Sequence, residues 1–203
     1  MQSYCILVTG IPASGKSTIA EYLAEKLSLP CFSKDAFKEI LFDTVGFRSR
    51  EEKVSLGIAA MEILYDAAER LMRRGLPFLL ENNFEHVSKP RLSELLEQYA
   101  YTAVTVTLTG DYQAIYRRFL ARNQSPERHR GHVVNDRYPE DGRTAAPPQI
   151  PFEAFVAGIE ARGMDTFTAN GPHITVDTTD FQAVDKSALV RQTREICKAF
   201  QDE

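Results

Sequence analysis

The chain alternates continuous apolar runs with segments whose apolar residues recur every three or four positions. The first run, YCILVT at 4–9, carries no charge, as expected of a strand buried on both faces of a sheet. Ile19, Ala20, Leu23, Ala24 and Leu27 then trace one stripe of a helix over 17–27. A short strand is predicted at 30–33. Behind it Asp35 stands where a helix N-cap belongs, with Phe37, Ile40 and Leu41 on one face. A long helix is expected over 50–74, closed by Gly75 and Pro77, with Ile58, Met61, Leu64, Tyr65 and Leu71 turned to the core. The run FLL at 78–80 predicts a third strand, and Ser88 is placed to cap a helix through Gln98. A β-branched run at 102–108 predicts the fourth strand, and Asp111 caps a helix to Arg122. From 123 to 148 periodicity is lost and large apolar residues are few, the pattern of a loop or lid. Helical spacing returns at 152–161, a fifth strand is expected at 173–177, and a closing helix at 182–200. Strands alternating with helices from the start predict an α/β fold, a parallel sheet with helices on both faces.

Composition narrows this picture. At 203 residues the chain fits one domain, expected to span 1–203 with a lid segment at about 123–149. Apolar and charged fractions of 43% and 26% are those of an ordinary soluble globular protein. A formal charge of -4 speaks against a general nucleic-acid binder, though it leaves room for a local basic pocket. The apolar stretch in MQSYCILVTG is too short for a signal peptide or a spanning helix and has no Lys or Arg before it. A cytoplasmic location with no membrane partner is therefore expected. Cys5, Cys31 and Cys197 are odd in number, widely spaced and without a CxxC pair, so they read as small core hydrophobes.

The most specific chemistry lies between the first strand and the first helix. Gly10-Ile11-Pro12-Ala13-Ser14-Gly15-Lys16-Ser17-Thr18 fits G-x-x-x-x-G-K-[ST], the phosphate-binding loop, in the strand–helix context that gives the motif meaning. Its glycines permit backbone angles that turn successive N–H groups inward, a nest for anions at a helix N-terminus. Lys16 adds a point charge for β- and γ-phosphates and the Ser17 hydroxyl is a ligand for Mg²⁺. Gly10, Ala13, Ser14, Gly15, Lys16, Ser17 and Thr18 are thus the candidate contacts to a bound triphosphate, and ATP with Mg²⁺ is the expected cofactor pair. No NKxD for guanine is present, and the DxxG at Asp43–Gly46 ends a predicted helix instead of following a buried strand. No LSGGQ-like signature occurs, and the chain is short for a motor or helicase. A small kinase arrangement remains.

Several polar residues bear on that arrangement. Asp35 follows strand two at the sheet edge where ligands of open α/β folds bind, so it can serve the acceptor, cap its helix, or do both. Glu81 ends the run FLL where many phosphate-loop enzymes carry an acid near Mg²⁺; a metal-shell role and a structural hydrogen bond both fit. Arg118 and Arg122 share a helix face, whereas Arg117 points about 100° away. With Arg128, Arg130, His129 and His132 they form a basic cluster suited to the charges of ATP, or a solvated face paired with Glu127, Asp136 and Glu140. His129 and His132, with no further His or Cys nearby, do not make a zinc site. Arg48 and Arg50 either meet an acidic or phosphorylated substrate or lie exposed in a loop.

In order, the blocks GIPASGKST, FSKDAFKEILFDTVG, LLENNF and RRFLARNQSPERHRGH resemble the P-loop kinase-like ATPases related to zeta toxin and chloramphenicol phosphotransferase. The resemblance covers roughly residues 4–132. It implies a three-layer α/β/α P-loop fold with a five-stranded parallel sheet in the order 2-3-1-4-5. It implies Asp35 as catalytic base, Arg118 near adenine, Arg122 and Arg128 on the phosphates, and the loop at Thr178 against the base. The activity it implies is transfer of the γ-phosphoryl of Mg-ATP to a small hydroxyl-bearing substrate. Two other activities fit the residues: an ATP-hydrolysing regulatory protein, and a polynucleotide end-kinase, which the acidic balance disfavours.

Overall fold

In a computed structural model the chain is described over residues 3–141 and 149–202. Five strands, β1 (Ser3–Gly10), β2 (Cys31–Ser33), β3 (Phe78–Glu81), β4 (Tyr101–Thr109) and β5 (His173–Asp177), form one sheet in the order β2-β3-β1-β4-β5. All pairings are parallel, as the alternating pattern and the resemblance both predict. β1 is central, and its alternate side chains feed two cores. Tyr4, Ile6 and Val8 face α1 (Lys16–Leu27) and α8 (Lys186–Asp202), meeting Ile19, Leu23, Leu189 and Val190. Cys5 and Leu7 face α3 (Arg50–Met72) and α4 (Lys89–Gln98), meeting Leu64, Tyr65, Ala68, Leu92 and Leu95. Burial on both faces is why β1 reads as an unbroken apolar run.

A third cluster joins α5 (Tyr112–Gln124) to α7 (Phe152–Arg162): Ile115, Phe155, Ile159 and Met164 close over Ile11. Ile11 belongs to the phosphate loop, so this cluster seats the arginine-bearing helix above that loop. Because the sheet is parallel, β1, β2, β3 and β4 all end at one edge, where Gly10, Ser33, Glu81 and Thr109 stand.

Some local expectations need correction. Asp35 is not an N-cap: α2 (Lys34–Val45) begins a residue earlier, Ser33 holds the cap position, and Asp35 lies in the first turn. Ser88 precedes α4 but its side chain makes no capping bond, because a 3-10 turn over His86–Ser88 runs straight into the helix. Asp111 does cap α5, accepting from the Ala114 N–H at 2.7 Å. On α3, Leu64 and Tyr65 are buried, but Ile58 is 60% exposed, since α3 touches the sheet only along its later turns. Cys5 and Cys197 are buried, whereas Cys31 is half-buried, and all three are free thiols.

The segment after Arg122 departs furthest from expectation. Asn123 and Gln124 still belong to α5, and α6 (Arg130–Val133) follows. Val134 is fully buried with Phe42 and Phe47, and Tyr138 packs beside them. A Cβ on Gly131 would fall 2.3 Å from the Phe42 ring, so glycine alone permits that approach. Phe47 and Tyr138 exchange backbone hydrogen bonds of 2.8 Å as an isolated antiparallel bridge. This stretch is therefore seated on α2 and α3, and the sparse apolar residues that made it read as a loop are concentrated at the seat. Residues 142–148 of the expected lid lie outside the described residues.

Candidate active site

The phosphate loop holds its shape through backbone angles that the sequence anticipates. Gly10, Ala13 and Gly15 have φ of 132°, 64° and 94°, and Gly15 caps α1 in the left-handed region. A side chain at Gly10 would come within 2.1 Å of the Leu108 carbonyl oxygen, so β4 leaves room for hydrogen alone there. Ser14 is fully buried, and its hydroxyl has no partner among the described residues. The Lys16 ammonium folds back to donate to the Ile11 carbonyl at 2.9 Å. Burial, with Arg122 and Arg128 adding to it against Glu81 and Asp35, pushes its pKa down to about 8. Ser17 and Thr18 are exposed at the mouth of the loop.

A cleft of about 1140 Å³ opens over this loop. Into it reach Lys16, Ser17 and Thr18 from α1, Asp35 from α2, Glu81 from β3, and Arg118, Arg122 and Arg128 from α5 and the turn beyond. Residues separated by up to 112 positions thus share one cavity, the distance from Lys16 to Arg128. Arg118 Nε and one of its terminal nitrogens, Arg122 Nε and Arg128 Nε are buried with no hydrogen-bond partner among the described residues. Orphaned guanidinium donors are costly, and an anion with several acceptor oxygens is what would satisfy them. Burial pushes Arg122 down to about 10, with Arg128 adding to the effect. Among the arginines of this cluster, the alternative of a solvated face paired with nearby acids holds for Arg130, which is bound by Glu140 at 2.7 Å.

The acids of the cleft differ. Glu81 is buried and accepts from the Ser33 hydroxyl at 2.5 Å. Burial raises its pKa, against the pull of Lys16 and Ser33. Asp35 as a residue is exposed at the cleft, but its carboxyl is enclosed among cationic groups. Burial pushes its pKa up, yet the neighbouring positive groups, Arg128, Lys38 and Lys16 among them, outweigh this and hold the carboxyl below the usual range. His132 stays neutral because burial, reinforced by Arg128 and Lys38, pushes it down to about 3; its Nε2 lies 2.8 Å from Glu39. No group of three or more His, Cys, Asp or Glu side chains placed to hold a metal occurs among the described residues. A hydrated Mg²⁺ needs no such cage, taking one or two protein oxygens and completing its shell with phosphates and water. Ser17 and Glu81, both lining the cleft beside Lys16, fit that pattern.

Thr178 does not line this cleft; it is fully buried, and its N–H and hydroxyl both donate to the Thr109 carbonyl, at 2.8 and 2.9 Å. Phe181, three residues on, lies against the phosphate loop: a Cβ on Gly15 would stand 2.2 Å from its ring. No motif in the sequence points to Phe181, Lys38, Lys53 or Asn135. Lys38 had a legible signal, since it falls three residues after Asp35 on the same helix face. Lys53 had none. Its ammonium is buried among the His132 and Val134 carbonyls and the Asn135 side chain, and burial first pushes its pKa down to about 7. Asp43, of the DxxG look-alike, binds His129 at 3.0 Å and Tyr138 at 2.8 Å, a structural use.

A parallel sheet in this order, with the phosphate loop after its central strand, is the fold of P-loop kinases. The chain belongs to the AAA domain family, whose model matches residues 6–141. It is similar to a protein from Chloroflexus aurantiacus designated a kinase, with 28% identity over 98% of both chains and a TM-score of 0.72. A gluconokinase from Sinorhizobium meliloti matches at 17% identity and a TM-score of 0.54 over 99% of this chain and 98% of the other. A shikimate kinase from Acinetobacter baumannii matches at 13% and 0.57, over 98% and 94%. Likeness at such identities extends to the fold. No curated protein matches the sequence. Among the described residues no helix is long and apolar enough to cross a membrane.

Proposed function

We propose that this chain is a phosphotransferase that moves the γ-phosphoryl of Mg-ATP to a hydroxyl of a small molecule, working as one domain over 1–203. The observation that carries this reading is the convergence of unpartnered Arg118, Arg122 and Arg128 donors with Lys16 on a single cleft. The structural likeness to enzymes that act on gluconate and shikimate supports a small-molecule acceptor. Within P-loop kinases, the sequence blocks favour the zeta toxin and chloramphenicol phosphotransferase group.

The loop from Gly10 to Thr18 grips the β- and γ-phosphates, and Arg118 lies toward the adenine end, near Asp180. Ser17, with Glu81 on the far side, would hold a hydrated Mg²⁺, which would supply neutralisation of the charge that develops on the leaving oxygen. Arg122 and Arg128 neutralise the equatorial oxygens. An acceptor oxygen forms its bond to the γ-phosphorus as the bond to the β–γ bridging oxygen breaks, releasing ADP. The acceptor proton passes to the Asp35 carboxylate. Its low pKa suits an orienting group that takes the proton late, consistent with a loose transition state. An ADP-release screen across hydroxyl-bearing metabolites tests the reading. Acceptor-dependent ADP, abolished by Lys16→Ala, is expected. ADP release with no acceptor dependence would point to a regulatory ATPase.

A further inference from the structure

Three cations on the acceptor side of Asp35 are in excess of what a triphosphate uses. Lys38 lies one helical turn beyond Asp35 on α2, and Arg50 begins α3 across the cleft; both line the cavity with Asn135. Lys53 completes the trio but is occupied by backbone carbonyls. Lys38 and Arg50 are not. Among the described residues neither has a carboxylate within ion-pair distance. The Lys38 ammonium lies over the Phe42 ring face, 5.4 Å from its centroid, and Arg50 donates to the neutral Asn135 side chain at 3.0 Å. Arginines elsewhere on the surface, such as Arg70, Arg73 and Arg91, do have acidic partners. In a chain of net charge -4, several cations without a carboxylate partner among the described residues are thus gathered in one cavity. Concentrated like charge at a partly enclosed site is unfavourable until an anion enters. The repulsion is visible in Lys38 itself: burial first, then Lys34, Arg50 and Arg128, push its ammonium below the ordinary value despite Asp35.

We infer that Lys38 and Arg50 form an anion subsite, so that the acceptor carries a negative group, a carboxylate or a phosphate monoester, besides the hydroxyl that meets Asp35. This rests on the kinase reading above and deepens it. The spacing follows from the elements: the anion is held by Lys38 and Arg50 at one end, the reacting hydroxyl by Asp35 at the other. Neutral polyols would lack the first contact.

Calorimetry on the full chain tests the subsite apart from turnover. The protein is first saturated with a non-hydrolysable ATP analogue and Mg²⁺, which fills the phosphate loop, and then titrated with inorganic phosphate or with acetate. Saturable binding of at least one anion is expected, and the tighter of the two identifies phosphate monoester or carboxylate. Lys38→Gln and Arg50→Gln should each weaken that binding roughly tenfold or more, the scale of a charge-assisted hydrogen bond. Their affinity for the ATP analogue should stay within about twofold, which also reports that they fold. If neither anion binds the loaded protein, or if both variants bind as the parent does, the inference is overturned. If the analogue itself fails to bind, the kinase reading falls instead. Titration of the nucleotide-free parent and variants then decides the subsite by the same comparison.

Discussion

At the scale of single residues, Lys16 has a measurable consequence. Its ammonium is held at about 8, below the ordinary 10.5, and a bound triphosphate restores the charged form. Above about 8, nucleotide binding should therefore take up a proton; well below it, no proton should move on this account. Calorimetry in buffers of differing ionisation enthalpy reads this, and Lys16→Met should abolish the uptake. The unliganded protein behaves oppositely. Between the depressed and ordinary pKa values the unfolded chain binds the extra proton, so this residue adds stability as pH rises through that window. Asp35 offers a second check. Asp35→Asn should lower turnover by about 10²-fold, the size of a lost positioned base, with nucleotide affinity little changed. A variant that kept its turnover while unfolding more easily would reduce Asp35 to a first-turn acid beside a helix dipole.

At the scale of elements, the short helix α6 and its flanks behave as a seated strap. Val134 is buried with Phe42 and Phe47, His132 meets Glu39, and both His129 and Tyr138 meet Asp43. Amide exchange over 130–138 should accordingly be slow even without nucleotide. Val134→Ala should speed it by removing on the order of 2 kcal/mol of packing. Exchange that is already fast in the parent would return this stretch to the open lid that its sequence suggests. The contrast shows what a sequence carries. The inner strands β1, β3 and β4 were legible as runs buried by their own neighbours, the edge strands β2 and β5 as short stretches set between helical segments, and the phosphate loop because its chemistry is contiguous. The seat of α6 was not, because it is made by isolated residues whose partners, Glu39, Phe42 and Asp43, sit on α2 about ninety positions earlier, a separation of 86 from Asp43 to His129. Asp35 was misread as a cap for a related reason: the strand before it ends directly in the helix, leaving no turn to mark the boundary.

At the scale of the molecule, the arginines Arg118, Arg122 and Arg128 strain against one another in the unliganded protein, and nucleotide should relieve them. Mg-ATP analogue at a hundred times its dissociation constant should raise the unfolding free energy by about 2.7 kcal/mol, visible as a higher melting temperature. Arg122→Ala should bind the analogue more weakly yet lose less in unliganded stability than an average core truncation, since it removes an unpaired buried charge. Severe destabilisation of the unliganded variant would mean the arginine holds the fold together.

The order of strands also fixes when the site can come into being. β1 and the loop after it leave the ribosome before β3 and β4, yet β1 pairs with both, the latter ending at Thr109. A nascent chain that has not yet released Thr109 has the phosphate-loop sequence but lacks the carbonyl of Leu108 against which Gly10 is fitted. Since residues emerge at about 5–20 per second, the cradle waits several seconds as an unpaired apolar strand before it can take nucleotide. Translation arrested before that point should yield chains that chaperones hold and ATP does not.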